Sequence, residues 1–457
     1  MDIKDLFLTP VYLLFIYAVA FMINNRIRNK VIRPYFIPAL NVKIIGAIAL
    51  GLIYQFYYYG GDTYNYFKDS KVIWEAFLDS PFKAISIIFT DRQYDPSIYE
   101  YVRRIYFYVD PNSYHVVRLS GFFGLFTFHT YSLIAIFFAI TCFSGMWALY
   151  KVFYDLYPHL HKKLAYAIFF IPSVFFWGSG LLKDTITLGA LGWMFHAFYF
   201  GIIKRQYIVT NIVVMFLAIL VVQGIKVYIL LCFLPAAFFW IFMEYRARIR
   251  SGLLRFITLP IVIAISIPIS YRAITKITEE NTRYQLDNIT ATTKTTAEWL
   301  RTVGTSQGGS VYSLGEFDGT WTNMISKAPV AINVSLYRPY LWEAKNPVML
   351  LSALEATFFL FLTVRILIQI KLSRLFSILT SQPILLFCLI FAITFSFAVG
   401  VSSYNFGTLV RYKIPMMPFF LSALYIIQSQ AIKKKKKKIF QNSFQNNTLE
   451  NPLVLKS

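Results

Sequence analysis

Asp62 stands directly after two glycines in the stretch GGDTYNYF, and two tyrosines, Tyr64 and Tyr66, follow it closely. The glycines allow the chain to turn sharply just before the carboxylate. A carboxylate held beside aromatic rings can act as a general base that takes the proton of an attacking hydroxyl group. The structural alternative is that Asp62 caps the amphipathic helix predicted by the stretch TYNYFKDSKVIWEAF.

Five basic residues beside apolar segments are candidates for binding an anionic group: Lys183, Lys226, Arg338, Arg411 and Lys413. Arg411, in the stretch RYKIPMMPFF, is the strongest of them. A guanidinium can form two parallel hydrogen bonds with a phosphate, whereas an ammonium group acts as a point charge. For Lys413, a side chain that snorkels to the lipid headgroups is an equally good interpretation.

The stretch FFWGSGLLKDTITLGALGW, from Phe175 to Trp193, places Lys183 and Asp184 between two apolar segments. Its glycines, together with Pro172 before it, predict a broken helix. Charged side chains at membrane depth are costly, and they usually belong to a functional site or are paired. The alternative is a polar hairpin turn in which Asp184 caps the following helix.

Several acidic and aromatic residues are predicted to support such a site. Glu343 precedes an apolar segment, and Glu355 falls inside that segment. We expect Glu355 to be paired, because an unpaired carboxylate within a membrane is costly. The aromatic members of this supporting set are Tyr64, Tyr66, Trp177 and Trp342.

The composition indicates one membrane domain rather than two or three soluble ones. Of 457 residues, 57% are hydrophobic and 14% are charged, whereas soluble domains are about 25% charged. The net charge of +22 is concentrated in short loops and in the run Lys433 to Lys438. This distribution is typical of membrane topology signals and excludes a nucleic-acid-binding face. The three cysteines and five histidines show no metal-ligand spacing, so no transition-metal site is visible and no cofactor is evident.

Apolar segments long enough to cross a bilayer predict an all-α polytopic membrane protein with about 11 transmembrane helices. The predicted spans are 6–24, 38–59, 131–153, 164–181, 185–203, 207–224, 226–244, 256–270, 346–369, 383–402 and 414–431. Together they form a single membrane domain over residues 1–432. Residues 433–457 are predicted to be a basic cytoplasmic tail without fixed structure.

The basic residues predict the orientation of this domain. Stretches such as NNRIRNKVIR, YRARIRSGLLR and the hexalysine run all fall on one side if the chain crosses eleven times. The positive-inside rule makes that side the cytoplasm, so the N-terminus is predicted outside and the C-terminus inside. Two long loops, about 60–130 and 271–345, are then extracytoplasmic. Within the first loop, the apolar segment 116–128 is too short to span and is expected to lie at the interface or to re-enter.

Two short motifs carry a resemblance to a known family. GGDTYNYF resembles the Gly-x-Asp-x-x-x-Tyr element of bacterial exopolysaccharide and O-antigen polymerase-type membrane proteins, and RYKIPMMPFF is similar to their Arg-Tyr-x-x-Pro-x-x-Pro element. The resemblance implies an inner-membrane glycosyltransferase or polymerase that takes sugars from a polyprenyl-diphosphate carrier. The arginine that this family has shortly before Gly-x-Asp is absent here, and the lack of an Asp-x-Asp pair leaves a need for a divalent metal open.

In this interpretation Asp62 is the base for a sugar hydroxyl, and the five basic residues neutralise the diphosphate leaving group. Two other functions fit the same sequence. A transporter or flippase of a lipid-linked or anionic substrate would use the same cations, although such proteins usually contain an internal repeat, and none is visible. A non-enzymatic scaffold of an envelope machine would use the long loops as docking surfaces.

Overall fold

The computed structural model describes residues 1–246, 272, 275, 285, 288–306, 310–316 and 318–431. Regular structure in these residues is helical, and strand-like pairing within them is limited to one isolated antiparallel bridge, between Val311 and Asn405. Eight of the described helices are long and apolar enough to cross a membrane. The chain is thus an all-α membrane protein over its described part, while the count of 11 spans stays a prediction.

The first 126 residues form two spanning helices followed by four shorter ones. They are α1 (Ile3–Arg26), α2 (Phe36–Phe56), α3 (Asp62–Asp79), α4 (Pro81–Phe89), α5 (Tyr99–Val102) and α6 (Pro111–Phe126). The short helices make up the predicted first outer loop and enclose their own apolar core. Helix α6 contains most of the segment 116–128, and it packs closely on α3, where a Cβ atom on Gly121 would lie 2.5 Å from Ile73.

The next six helices carry the chain through the centre of the bundle. They are α7 (Tyr131–Leu156), α8 (His161–Phe169), α9 (Pro172–Trp177), α10 (Lys183–Ala197), α11 (Ile208–Lys226) and α12 (Tyr228–Arg246). A π-helix, Phe198–Ile203, extends α10. Helices α7 and α10 touch backbone to backbone, since a Cβ atom on Gly145 would lie 1.9 Å from the carbonyl oxygen of Gly189.

The predicted span 164–181 is not one helix, because it breaks between α8 and α9 and turns again after Trp177. Lys43, from the middle of α2, stabilises this break. Its Nζ atom is fully buried and donates to the carbonyl oxygens of Gly178, at 2.7 Å, and Val174, at 3.3 Å. The last carbonyl groups of a helix have no partner inside it, so a buried cation is a suitable donor there.

The remaining described helices complete the bundle. They are α13 (Ile289–Ser306), α14 (Trp321–Ser326), α15 (Ala328–Tyr337), α16 (Pro347–Gln369), α17 (Leu372–Ser381), α18 (Pro383–Ser403), α19 (Phe406–Tyr412) and α20 (417–431). Helices α16 and α18 are of spanning length. The predicted span 256–270 and the predicted tail 433–457 lie outside the described residues.

The connections at one end of the bundle carry many of the basic residues, and we call it the basic end. Contacts there join Tyr35 to His161, at 2.8 Å, and Lys163 to Gln428, at 2.6 Å. The opposite end, which we call the site end, holds the starts of α3 and α10, the end of α11, and α19. Helix packing therefore separates the basic loops from the residues that the sequence singled out.

Candidate functional site

Arg411 joins two carboxylates that come from distant parts of the chain. Its Nη1 atom lies 2.8 Å from Oδ2 of Asp62, and its Nε atom lies 2.6 Å from Oδ2 of Asp184. Arg411 is near the end of α19, while Asp62 and Asp184 stand in the first turns of α3 and α10. The two short motifs and the charged stretch between apolar segments thus meet at one point.

These three groups form a series from solvent to the interior. The side chain of Asp62 is 48% exposed, that of Arg411 is 12% exposed, and that of Asp184 is fully buried. The second oxygen of Asp184 accepts a hydrogen bond from Nζ of Lys226, which is also buried. Buried charges are tolerated when they are paired in this way. We call the set Asp62, Arg411, Asp184 and Lys226 the ionic cluster.

The capping interpretations of both aspartates are wrong. The cap positions of α3 and α10 are Gly61 and Leu182, and neither aspartate makes a side-chain cap bond there. Both carboxylates instead lie within the first turn of a helix, where the helix dipole stabilises negative charge. Gly61 has φ +121°, a conformation that favours glycine, so the glycine pair is required by the turn that delivers Asp62.

Lys183 and Asp184 do not pair with each other. Nζ of Lys183 lies 3.4 Å from Oδ2 of Asp110, at the start of α6. Although burial alone would raise it, the hydrogen bond from Ser113 and the charge of Lys183 lower the pKa of Asp110. With this pair included, the site end assembles three carboxylates and three cations. Lys183 and Lys226 thus each have a carboxylate partner within the chain, while their binding of a diphosphate stays a prediction.

Aromatic side chains pack around the ionic cluster. Nζ of Lys226 lies 4.6 Å from the ring centre of Tyr412, within range of a cation–π interaction. Tyr54 meets Trp177 edge to face at 6.4 Å, and both are almost completely buried. Burial, with the nearby Asp62 carboxylate, raises the pKa of the Tyr66 hydroxyl, which is therefore neutral beside the cluster.

Two predicted supporting aromatics lie elsewhere. The hydroxyl of Tyr64 donates to Gln55, and it accepts from the N-terminal amine of Met1. Its ring stacks on Tyr131 at 4.5 Å. Tyr64 thus fastens the N-terminus to α2 and α7 rather than facing Asp62. Trp342 is 80% exposed and stacks on Tyr340, at 4.8 Å.

Arg338 is engaged by Glu343 through two hydrogen bonds, one of them 3.0 Å from Nε to Oε2. Oε2 also accepts from the backbone N–H of Tyr340, at 2.7 Å. Burial alone would raise the pKa of Glu343, but these bonds hold it below its ordinary value. The pair fixes the loop between α15 and α16, and no hydrogen bond or ion pair between described residues joins it to the ionic cluster.

Lys413 is 1% exposed, so the interpretation that it snorkels to lipid headgroups is wrong. Its Nζ atom lies 3.5 Å from the carbonyl oxygen of Arg338, and its charge interacts with that of Glu355. Glu355 accepts from the N–H and the hydroxyl of Ser173, at 2.8 and 2.7 Å. These two residues therefore join α9, α16 and the start of the last helix inside the bundle.

Two residues of this region, Lys43 and Asp110, were not predicted from the sequence. Lys43 is a lone charge in the apolar run of α2, and its position in the middle of a predicted span was a usable signal. Asp110 gave no signal, because an Asp-Pro pair in a loop is usually a helix start. Its role as the partner of Lys183 depends on how α6 packs against α10, and the local sequence does not determine this packing.

Across the described residues, no group of three histidine, cysteine, aspartate or glutamate side chains is placed to hold a metal ion. Comparisons with protein-family models, with curated proteins and with solved structures each gave no match.

Proposed function

We propose that this protein transfers or polymerises sugars from a polyprenyl-diphosphate-linked donor, at the outer face of the bacterial cytoplasmic membrane, in the synthesis of a cell-surface polysaccharide. The contact between Asp62 and Arg411 carries the proposal. These are the charged residues of the two motifs that resemble exopolysaccharide and O-antigen polymerase-type proteins. The two residues are 349 positions apart in the chain. If each motif only determined the conformation of its own loop, an ion pair between them would not be expected.

The distribution of basic residues supports an outward-facing site. The loops after α1, after α7 and between α10 and α11 are basic and lie at the basic end. By the positive-inside rule that end faces the cytoplasm, and the site end then faces outward. The donor sugars of such polymers are presented on this outer side, so Asp62 would be accessible to them.

In the proposed reaction Asp62 acts as the general base. Only its Oδ2 atom contacts Arg411, and within the described part of the chain Oδ1 accepts no hydrogen bond. In the proposed step, the acceptor hydroxyl oxygen bonds to the anomeric carbon of the donor, and its proton passes to Asp62. The bond from that carbon to the diphosphate oxygen breaks, and the diphosphate leaves with the electron pair. Arg411 holds the carboxylate in one orientation throughout.

The leaving diphosphate needs positive charge nearby. Lys226 is fully committed to Asp184, whereas Lys183 is only loosely paired, at 3.4 Å, and is partly exposed. Lys183 is thus the cation of the site end that can turn toward a diphosphate at the smallest cost. Arg411, in contact with Asp62 at 2.8 Å, contributes further positive charge.

The proposal is tested by purifying the protein, reconstituting it in liposomes, and measuring sugar transfer from a polyprenyl-diphosphate-linked oligosaccharide. We expect Asp62→Asn to insert normally and to lose activity by about 10²-fold or more, because an amide cannot accept the proton. Asp79→Asn is the matched control, since Asp79 lies on the same helix and is exposed. Normal transfer by Asp62→Asn would end the assignment of Asp62 as base.

One observation favours a transporter as the second candidate. The α8–α9 segment is broken at membrane depth, and discontinuous helices beside buried charges are common in transporters. A transporter would move a lipid-linked sugar or an anion across the same liposomes without changing it. Transport that survives in Asp62→Asn, together with an absence of any joined product, would favour this function over transfer.

A further inference from the structure

A cavity of about 210 Å³ lies between the loop after α4 and the first two turns of α6. Pro111, in its wall, directly follows Asp110, the partner of Lys183. His115, also in its wall, lies against the end of α11, because a Cβ atom on Gly224 would be 2.9 Å from its Nε2 atom. The cavity therefore lies next to the partner of Lys183 and contacts the last turn of α11, which carries Lys226.

The charge of this cavity differs from that of the ionic cluster. Two arginines, Arg92 and Arg118, and the imidazole of His115 line it, against a single carboxylate, Asp91. Oδ1 of Asp91 accepts a hydrogen bond from the backbone N–H of Gln93, which closes a tight turn. Within the described ranges, neither arginine forms a salt bridge. The cavity thus has an excess of positive charge, whereas the cluster is balanced.

Arg118 is held in place but uses little of its hydrogen-bonding capacity. Its guanidinium lies over the ring of Tyr114, 4.6 Å from the ring centre, and Nη2 donates to the carbonyl oxygen of Thr90. Its Nε atom is buried and makes no hydrogen bond to any described residue. A guanidinium fixed by stacking, with donors to spare and no carboxylate, is a suitable partner for an oxyanion.

We propose that this cavity binds a phosphate group, namely that of the diphosphate in the lipid-linked donor. Arg92 and Arg118 provide the positive charge, and Lys183, next to the cavity, completes it from the side of the ionic cluster. The inference rests on the proposed function for the identity of the carrier, but the binding of phosphate can be measured without any transfer reaction. Of the residues that it assigns to the donor phosphate, Arg92 and Arg118 are not among the five basic ones chosen from the sequence.

The test measures the binding of inorganic pyrophosphate to the purified full-length protein in non-ionic detergent by isothermal titration calorimetry. Arg92→Asn is the main variant, because Arg92 is exposed and has φ +69°, a conformation that asparagine also tolerates. We expect its Kd to rise about tenfold, as for loss of one charge-assisted hydrogen bond. Arg118→Gln should have at least this effect, and Arg103→Asn, at an exposed arginine outside the cavity, should have none.

If Arg118→Gln folds poorly, Arg92→Asn decides the question alone. Unchanged pyrophosphate affinity in Arg92→Asn, or equal weakening in Arg103→Asn, would overturn the proposal. A competition experiment identifies the source of the phosphate. Polyprenyl diphosphate in the same micelles should displace pyrophosphate, while phosphatidylglycerol should not. Equal displacement by phosphatidylglycerol would show a general headgroup site and overturn the assignment to the donor.

Asp62→Asn separates this inference from the proposed function. We expect that variant to lose sugar transfer and to bind pyrophosphate with an affinity within about twofold of the wild type, because Asp62 does not line the cavity. An Asp62→Asn protein with full transfer but an intact pyrophosphate site would refute the base and leave the phosphate site standing. Loss of transfer in Asp62→Asn, together with an unchanged pyrophosphate affinity in Arg92→Asn, would refute the phosphate site and leave the assignment of Asp62 as base standing.

Discussion

Arg411 and Asp62 lie 349 positions apart in the chain, and their side chains meet at 2.8 Å. The same guanidinium reaches the buried Asp184 with its Nε atom, at 2.6 Å. The residue that faces solvent is therefore connected to the interior of the bundle through one rigid, planar group. A substitution of Arg411 therefore removes a partner from the exposed Asp62 and from the buried Asp184 at the same time.

Replacing Arg411 and replacing Lys413 should have different consequences. We expect Arg411→Ala, and also Arg411→Lys, to lower turnover per folded molecule at least tenfold, because an ammonium cannot reach two carboxylates from two directions. Lys413 is buried beside Glu355 and away from Asp62, so Lys413→Ala should instead lower the amount of folded protein. Size-exclusion chromatography combined with an activity assay separates the two effects. Equal losses of turnover in all three variants would contradict this division.

The orientation of the bundle can be tested with single cysteines. The three native cysteines are buried, so added ones can be labelled selectively. On intact cells, a membrane-impermeant maleimide should react with Ser97→Cys, which lies just before α5. It should not react with Gln206→Cys, which lies in the loop between α10 and α11. Gln206→Cys should react once the cells are opened. Labelling in the opposite pattern would place the site in the cytoplasm and exclude outer-face transfer.

The helical character and most span positions followed from the sequence, because apolar length is a strong and local signal. The predicted spans 131–153 and 383–402, for example, correspond to Tyr131–Leu156 and Pro383–Ser403. The break within 164–181 was only partly foreseen. The glycines and Pro172 suggested it, but the donor that stabilises it, Lys43, comes from another helix.

The sequence predicted which residues belong to the candidate site, but not which of them form ion pairs with each other. Asp62, Asp184, Lys226 and Arg411 were each conspicuous as charges near apolar segments. Which of them would neutralise which depends on the packing of α3, α10, α11 and α19, a tertiary property that spacing along the chain does not encode. For this reason the sequence predicted an anionic partner for the lysines without identifying it, whereas folding supplies each with its own carboxylate.

Acidification should destabilise the protein through His129. Burial lowers the pKa of His129 to about 4, from an ordinary value of 6.5. Between pH 6.5 and pH 4 the unfolded chain therefore binds a proton at this histidine that the folded chain does not bind. The free energy of unfolding keeps its full value above pH 6.5 and declines as the pH falls toward 4, by at most about 1.4 kcal/mol per pH unit. Thermal unfolding in detergent across this range measures the effect.

The control for this prediction is His129→Asn, since His129 has φ +49° and asparagine tolerates that conformation. The variant should be less stable than the wild type at pH 7, because it loses the stacking on Phe67. The gap should narrow as the pH falls to 4. A gap that stays constant over this range would show that His129 does not resist protonation.

Removing the charge of Asp184 should be far more damaging than removing the pair to which it belongs. Asp184→Asn leaves Lys226 buried without its carboxylate and leaves Arg411 with Asp62 alone. Breaking a buried ion pair from one side typically costs about 3–5 kcal/mol, whereas replacing a whole buried pair with apolar groups is often neutral. We therefore expect the double variant Asp184→Asn with Lys226→Met to recover much of the stability that Asp184→Asn loses.

The coupling is measured by denaturant unfolding of both single variants and the double variant in detergent. Simple addition of the two single effects would mean that Lys226 and Asp184 do not stabilise each other, and the ionic cluster would then have to be described as Arg411 with two independent carboxylates.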